Sequence, residues 1–200
     1  MPDPSPLPSG IMAGMTAEIE QGWLAGAQRC PSPNCDERPD PGDISLLVIH
    51  NISLPPGEFG NDCVRQLFCN TLDCDAHSYF DQLRDLRVSS HLLIDREGSV
   101  TQFVNFDQRA WHAGVSEYQG RSRCNDFSIG IELEGTDHDA YTGAQYDSLV
   151  RVTHELMAHY PAMSADRIAG HEHIAPGRKT DPGPSFDWDH YLGQLPRRST

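Results

Sequence analysis

The run Ile44-Ser45-Leu46-Leu47-Val48-Ile49 follows the turn signal Pro41-Gly42-Asp43 and leads into His50-Asn51. Its near-continuous apolar character, rich in β-branched residues, predicts a short strand covered on both faces, and hence a central sheet with helices against it. Working outward, residues 127–133 predict a further strand, with Ile129, Ile131 and Leu133 on one face and Gly130 and Glu132 on the other. Residues 88–96 and 99–105 read as two strands joined by a tight hairpin at Glu97-Gly98. The clearest helix starts after Thr142, which forms a capping box with Gln145, and stops at Pro161. Its stripe of Tyr146, Leu149, Val150, Thr153, Leu156, Met157 and Tyr160 should pack on the sheet. Shorter helices are expected over 62–68 and 76–83. From Ile174 onward, Pro and Gly predict a long loop pinned by something other than regular hydrogen bonding, such as a metal ligand. The fold class is α/β, a central sheet flanked by helices. One domain is expected over 18–192, with a disordered proline-rich tail over 1–17 and a C-terminal tail over 193–200.

Composition narrows the function. Of 200 residues, 38% are hydrophobic and the mean hydropathy is −0.52, with no apolar run long enough to span a membrane. Fifteen Lys and Arg against 29 Asp and Glu give a net charge of −14, whose field repels phosphate backbones. Residues 1–10 have neither the basic start nor the apolar stretch of an export signal. The six cysteines, at 30, 35, 63, 69, 74 and 124, are therefore read as reduced thiols.

The chemistry-bearing residues are histidines and carboxylates. His50 stands at the carboxyl end of the central strand, where α/β sheets place their sites, although a hydrogen-bonded edge histidine fits the same position. His171 and His173, with Asp181 ten residues beyond His171, offer two imidazoles and a carboxylate, the ligand types of a catalytic zinc; the spacing alone does not decide it. In an extended segment both imidazoles would face the same side. Glu132 is the candidate general base, a carboxylate in a partly dry position with its pKa raised; a solvent-facing edge glutamate is the competing reading. Lys179 is either an oxyanion donor or an ordinary surface lysine. His112, beside Trp111, lines a pocket or does not, with equal weight. His91 reads as a satisfied core histidine. Neither a phosphate-binding glycine loop nor a G-x-S-x-G elbow is present.

Four segments together resemble a known family: Leu47-Val48-Ile49-His50-Asn51-Ile52-Ser53-Leu54-Pro55-Pro56-Gly57, Arg109-Ala110-Trp111-His112-Ala113-Gly114, Asn125-Asp126-Phe127-Ser128-Ile129-Gly130-Ile131-Glu132-Leu133-Glu134-Gly135 and Lys179-Thr180-Asp181-Pro182-Gly183. They are similar to the AmpD-type 1,6-anhydro-N-acetylmuramyl-L-alanine amidases, zinc amidases of the peptidoglycan-recognition type, over about residues 22–188. The resemblance implies a mixed sheet, Zn2+ held by His50, His171 and Asp181, Glu132 as the catalytic carboxylate and Lys179 as the transition-state lysine. It suggests Asn51, Arg87, Trp111 and Arg123 as substrate contacts, with the two arginines meeting stem-peptide carboxylates. It also implies a cytoplasmic enzyme, expected as a monomer, that takes soluble anhydro-muropeptides in cell-wall recycling and in some bacteria quiets β-lactamase induction. No nucleic-acid or membrane partner is expected. His173 stands where the family carries an aspartate, and a second imidazole there is expected to compete for the metal or alter its hydration.

Overall fold

Six strands form the central sheet of the computed structural model, which describes residues 18–196: β1 (Gln28–Arg29), β2 (Leu46–Ile52), β3 (Leu92–Ile94), β4 (Val100–Gln102), β5 (Ser128–Glu134) and β6 (Ile168–Gly170). Their order is β6-β2-β5-β3-β4-β1, with every neighbouring pair parallel except antiparallel β3 and β4, so the sheet is mixed. The expected tail over 1–17 and residues 197–200 lie outside the described residues.

β2 and β5 sit at the centre, and both read as buried because both faces are covered. Leu47, Ile49, Ile129, Ile131 and Leu133 point into the main core, where they meet Tyr146, Leu149, Val152 and Leu156 of the long helix over Gly143–His159. Leu46 and Val48 face the opposite layer, with Ala113, Phe127 and Ile174. Truncating one of these buried aliphatic side chains to alanine removes about 2–5 kcal/mol of stability.

Helix α1 spans Cys63–Phe68 and α2 spans Gly143–His159. The capping box of α2 is formed as expected: Thr142 Oγ1 accepts from Gln145 N–H, and Gln145 Oε1 accepts from Thr142 N–H, both at 3.1 Å. Its buried face includes Val152, while Val150 and Met157 are only partly covered, so the expected stripe was rotated slightly from the true one.

The structure corrects several boundaries. The 88–96 and 99–105 strands contract to β3 and β4, with the turn between them closed by Gly98 at φ 82°. A side chain there would also strike Ala144 O at 2.5 Å. The 76–83 helix is a 3-10 segment, Ser78–Leu83, started by Tyr79 N–H donating to His77 Nδ1. Beyond Ile174 the chain is not all loop. Asp187 caps a short helix, α4 (Trp188–Leu192), which Phe186, Trp188 and Tyr191 seat on the main core. Leu195, assigned to the C-terminal tail, is buried in the same core. A single helical turn is too short to leave a readable period, and its burial comes from distant partners.

Candidate active site

The central strands deliver the first two side chains. Side chains alternate along β2, so His50 faces the same layer as Val48, away from α2, and is only 1% exposed. In the parallel β2–β5 ladder its register partner is Glu132, placing imidazole and carboxyl side by side at the carboxyl ends of the strands. β6 ends in Gly170, which leads directly into helix α3 (His171–Ile174), and the turn brings His171 to the same point. Asp181 comes from the following loop, tied to α3 by Glu172 N–H donating to Asp181 O at 2.9 Å.

His50 Nδ1, His171 Nδ1 and Asp181 Oδ2 lie pairwise 3.0 Å apart. Their surroundings set their chemistry. His171 Nε2 is 3.2 Å from Ala113 O, an acceptor only, so Nε2 carries a proton and Nδ1 is the ring nitrogen that faces the triangle. His50 Nε2 lies 2.9 Å from His112 Nδ1, whose Nε2 is 3.1 Å from Ser128 Oγ; in the tautomer where His50 Nε2–H donates along this chain, His50 Nδ1 is left bare. Burial pushes His50 down to about 4 against the opposing pull of Asp181, so its imidazole is neutral at pH 7. Two ring nitrogens and a carboxylate oxygen therefore converge, an arrangement that suits a cation. A tetrahedral ion with bonds of 2.0–2.1 Å sets its ligands about 3.3 Å apart, close to the observed triangle. These residues fit one divalent metal ion. Among the described residues this is the one cluster of three or more such side chains that could hold a metal.

Glu132 is 8% exposed, and its Oε2 is the one buried side-chain N or O atom without a hydrogen-bond partner among the described residues. Burial raises its pKa well above the ordinary range; Asp181 adds to the rise and Lys179 opposes it. The competing solvent-facing reading of Glu132 is thus set aside.

Gly130, two residues earlier on the same face, makes room for the His112 ring: a Cβ there would lie 2.5 Å from His112 Nδ1. His112 lines the cleft, and its pKa is held well below the ordinary value by loss of solvent and then by the His50 and His91 imidazoles. His91 is a satisfied core residue, its Nδ1 accepting from Gly130 N–H at 3.0 Å.

All five expected metal and catalytic residues open on one cleft of about 750 Å³, with exposed Lys179 at its rim. Asn51, Arg87 and Trp111 line it too. Asn51 also has a structural task, its Nδ2 donating to Asp137 Oδ1 and Pro182 O. Arg123 is not among the lining residues: it stands at φ 63°, is 70% exposed and pairs with Asp126. Arg178, passed over in the sequence, does line the cleft and donates to Ala113 O and Val115 O. Its adjacency to Lys179 was the available signal. His173 overturns the extended-segment expectation. The α3 turn carries its ring away from the triangle, Gly170 N–H donates to its Nδ1 at 2.9 Å, and the ring packs on Trp188. It does not compete for the metal.

Two imidazoles, a carboxylate, a dry carboxyl beside them and a cationic rim define a metal-dependent hydrolase site on an α/β sheet. The chain belongs to the N-acetylmuramoyl-L-alanine amidase family, whose model matches residues 40–184. It is 62% identical over 172 residues to the 1,6-anhydro-N-acetylmuramyl-L-alanine amidase AmpD of Salmonella typhimurium strain SL1344, covering 86% of this chain and 91% of the relative. Its identity to the AmpD of Escherichia coli K12 is 58% over 182 residues, covering 91% and 99%. A selenomethionine AmpD crystal structure superimposes with a TM-score of 0.87 at 60% identity, over 89% of this chain and 99% of that one. The E. coli amidase AmiD, solved in complex with anhydro-N-acetylmuramic acid-L-Ala-D-γ-Glu-L-Lys, matches with a TM-score of 0.56 at 31% identity, over 76% of this chain and 57% of that one.

Proposed function

We propose that this protein is a zinc-dependent amidase that hydrolyses the bond between the lactyl carbonyl of anhydro-N-acetylmuramic acid and the amine of L-alanine in soluble muropeptides. The observation that carries it is the triangle of His50, His171 and Asp181 beside the unpartnered Glu132 carboxyl, all open to one cleft. The AmpD names of the full-length relatives supply the substrate class.

His50, His171 and Asp181 would hold the ion. When bound, zinc lowers the pKa of water toward about 7 and polarises a carbonyl. Glu132 takes the proton of the attacking water, because its dry surroundings favour the protonated carboxyl, and then passes that proton to the departing amine. Lys179 donates to the oxygen that becomes negative as the carbonyl is attacked. Asn51, Arg87 and Trp111 contact the fragment from the cleft wall, and Arg87 meets a stem-peptide carboxylate. Arg123 would serve only by swinging from Asp126. The same reading takes the enzyme as a cytoplasmic monomer that recycles wall fragments and, in some bacteria, thereby quiets β-lactamase induction. Among the described residues no helix is long and apolar enough to cross a membrane.

The test is peptide release from defined anhydro-muropeptides, run before and after chelation and again with zinc restored. Release that stops on chelation and returns with zinc is expected. Full release from metal-free protein, or tight binding without cleavage, refutes the proposal. Intact sacculi in parallel should be turned over far more slowly than the soluble fragment.

A further inference from the structure

Five of the six cysteines, at 30, 35, 63, 69 and 74, pack against one apolar cluster that includes Leu67, Phe68 and Phe103, between α1 and the face of the sheet opposite the main core. Two of them touch. Cys30 follows β1, Cys69 caps the C-terminus of α1, and their Sγ atoms are 3.4 Å apart with both side chains half-buried. The segments that carry them are already fastened together. Ser32 Oγ donates to Phe68 O, while Asn34 Nδ2 donates to Phe68 O at 3.1 Å and to Asn70 Oδ1 at 2.9 Å. Asn70 returns a bond to Asn34 Oδ1 at 3.0 Å, and Cys30 N–H is held by Gln102 O at 2.9 Å. Bringing two sulfurs from this contact of 3.4 Å to a bond of about 2.05 Å closes a gap of about 1.4 Å. Cys35 and Cys74 point their thiols at the carbonyl oxygens of Ser32 and Leu72 instead.

We propose that Cys30 and Cys69 form an oxidation site that closes to an intramolecular disulfide when a peroxide reaches it. Cys30 is the attacking group. The Cys69 thiol is pushed up to about 11 by burial and then by its contact with Cys30, so Cys69 keeps its proton and serves as the resolving thiol. The Cys30 thiolate attacks one peroxide oxygen, the O–O bond breaks, and the other oxygen leaves as water after taking a proton, which makes Cys30 a sulfenic acid. The Cys69 sulfur then attacks the Cys30 sulfur, the S–O bond breaks, and a second water departs with the Cys69 proton. Two electrons pass from the thiol pair to the peroxide, and the new bond joins positions 39 residues apart. Leu67 and Phe68, just before Cys69, line the cleft, so the bridge would tie one of its walls to the strand behind it.

The experiment treats the zinc-loaded, full-length protein with a small excess of hydrogen peroxide, blocks remaining thiols with iodoacetamide, and maps the digest by mass spectrometry. A single bridged peptide joining Cys30 and Cys69 should appear in most chains, lighter by two hydrogens, with the other four cysteines alkylated and the bridge lost on adding dithiothreitol. Cys30→Ser and Cys69→Ser should each abolish it while leaving anhydro-muropeptide turnover within about two-fold. Recovery of Cys30 and Cys69 as alkylated thiols, as unbridged oxidised side chains, or bridged to other cysteines overturns the proposal. The mass readout is independent of amidase activity, so it stands or falls separately from the functional reading.

Discussion

Replacing Gly130 by alanine tests the idea that the space opposite His50 is part of the metal site. The added Cβ would lie 2.5 Å from His112 Nδ1, 2.6 Å from Cγ and 2.9 Å from Cδ2. Ordinary contact begins near 3.4 Å, so the ring must retreat by about 0.9 Å. His112 is held at 2.9 Å by His50 and at 3.1 Å by Ser128, and a displacement of that size along either bond takes it past 3.5 Å. Two effects follow. Overpacking costs about 1–3 kcal/mol of stability, which for a domain of this size lowers the thermal midpoint of the metal-free protein by roughly 2–12 °C. Loss of the acceptor that fixes the His50 tautomer weakens metal affinity by roughly 10–100-fold. Competition with a chromophoric zinc chelator reads the second effect, and a thermal scan of metal-free protein reads the first. In a His112→Ala background the same glycine substitution should cost little, because the clash is gone. A Gly130→Ala protein that binds zinc within about two-fold of the parent, with an unchanged melting point, would refute this reasoning.

Three further outcomes are expected. Lys179→Ala should lower turnover by roughly 100- to 1,000-fold with zinc content unchanged, as metal analysis beside a peptide-release assay would show. Glu132→Gln should lower turnover by roughly 100- to 10,000-fold, yet make the metal-free protein more stable at pH 7. The sign follows from the raised pKa: the folded state disfavours ionised Glu132, so its penalty is absent below the ordinary glutamate value of 4.5 and grows as pH rises above it. The melting-point gain of the glutamine variant should therefore shrink toward zero at about pH 4, and a gain that grows on acidification contradicts the assignment. His173→Asp should leave zinc affinity within about two-fold of the parent, because that ring faces Gly170 N–H and Trp188 and not the triangle; a tenfold change in the chelator titration would count against this placement.

The sequence alone determined the parts whose signals are local. β2 and β5 announce themselves as apolar runs because both faces of a central strand are covered, and the α2 start is written in Thr142 and Gln145, three residues apart. The residue types of the site were legible as well: His50, Glu132, His171, Lys179 and Asp181 all reach the one cleft. Where the side chains point was decided elsewhere. Glu132 stands beside His50 only because β5 pairs with β2 in that register, and His50 meets Asp181, 131 positions away, only because β6 crosses to the other edge of β2. One helical turn after Gly170 separates His171 from His173, which an extended reading had placed together. Arg123, suggested by family likeness, is turned toward Asp126 by a left-handed backbone, and α4 forms because aromatic partners from remote segments cover a single turn. Periodicity along a chain records how each residue meets its nearest neighbours. Strand order, register and the direction of one turn are fixed by contacts between segments far apart in sequence, and only the folded structure holds them.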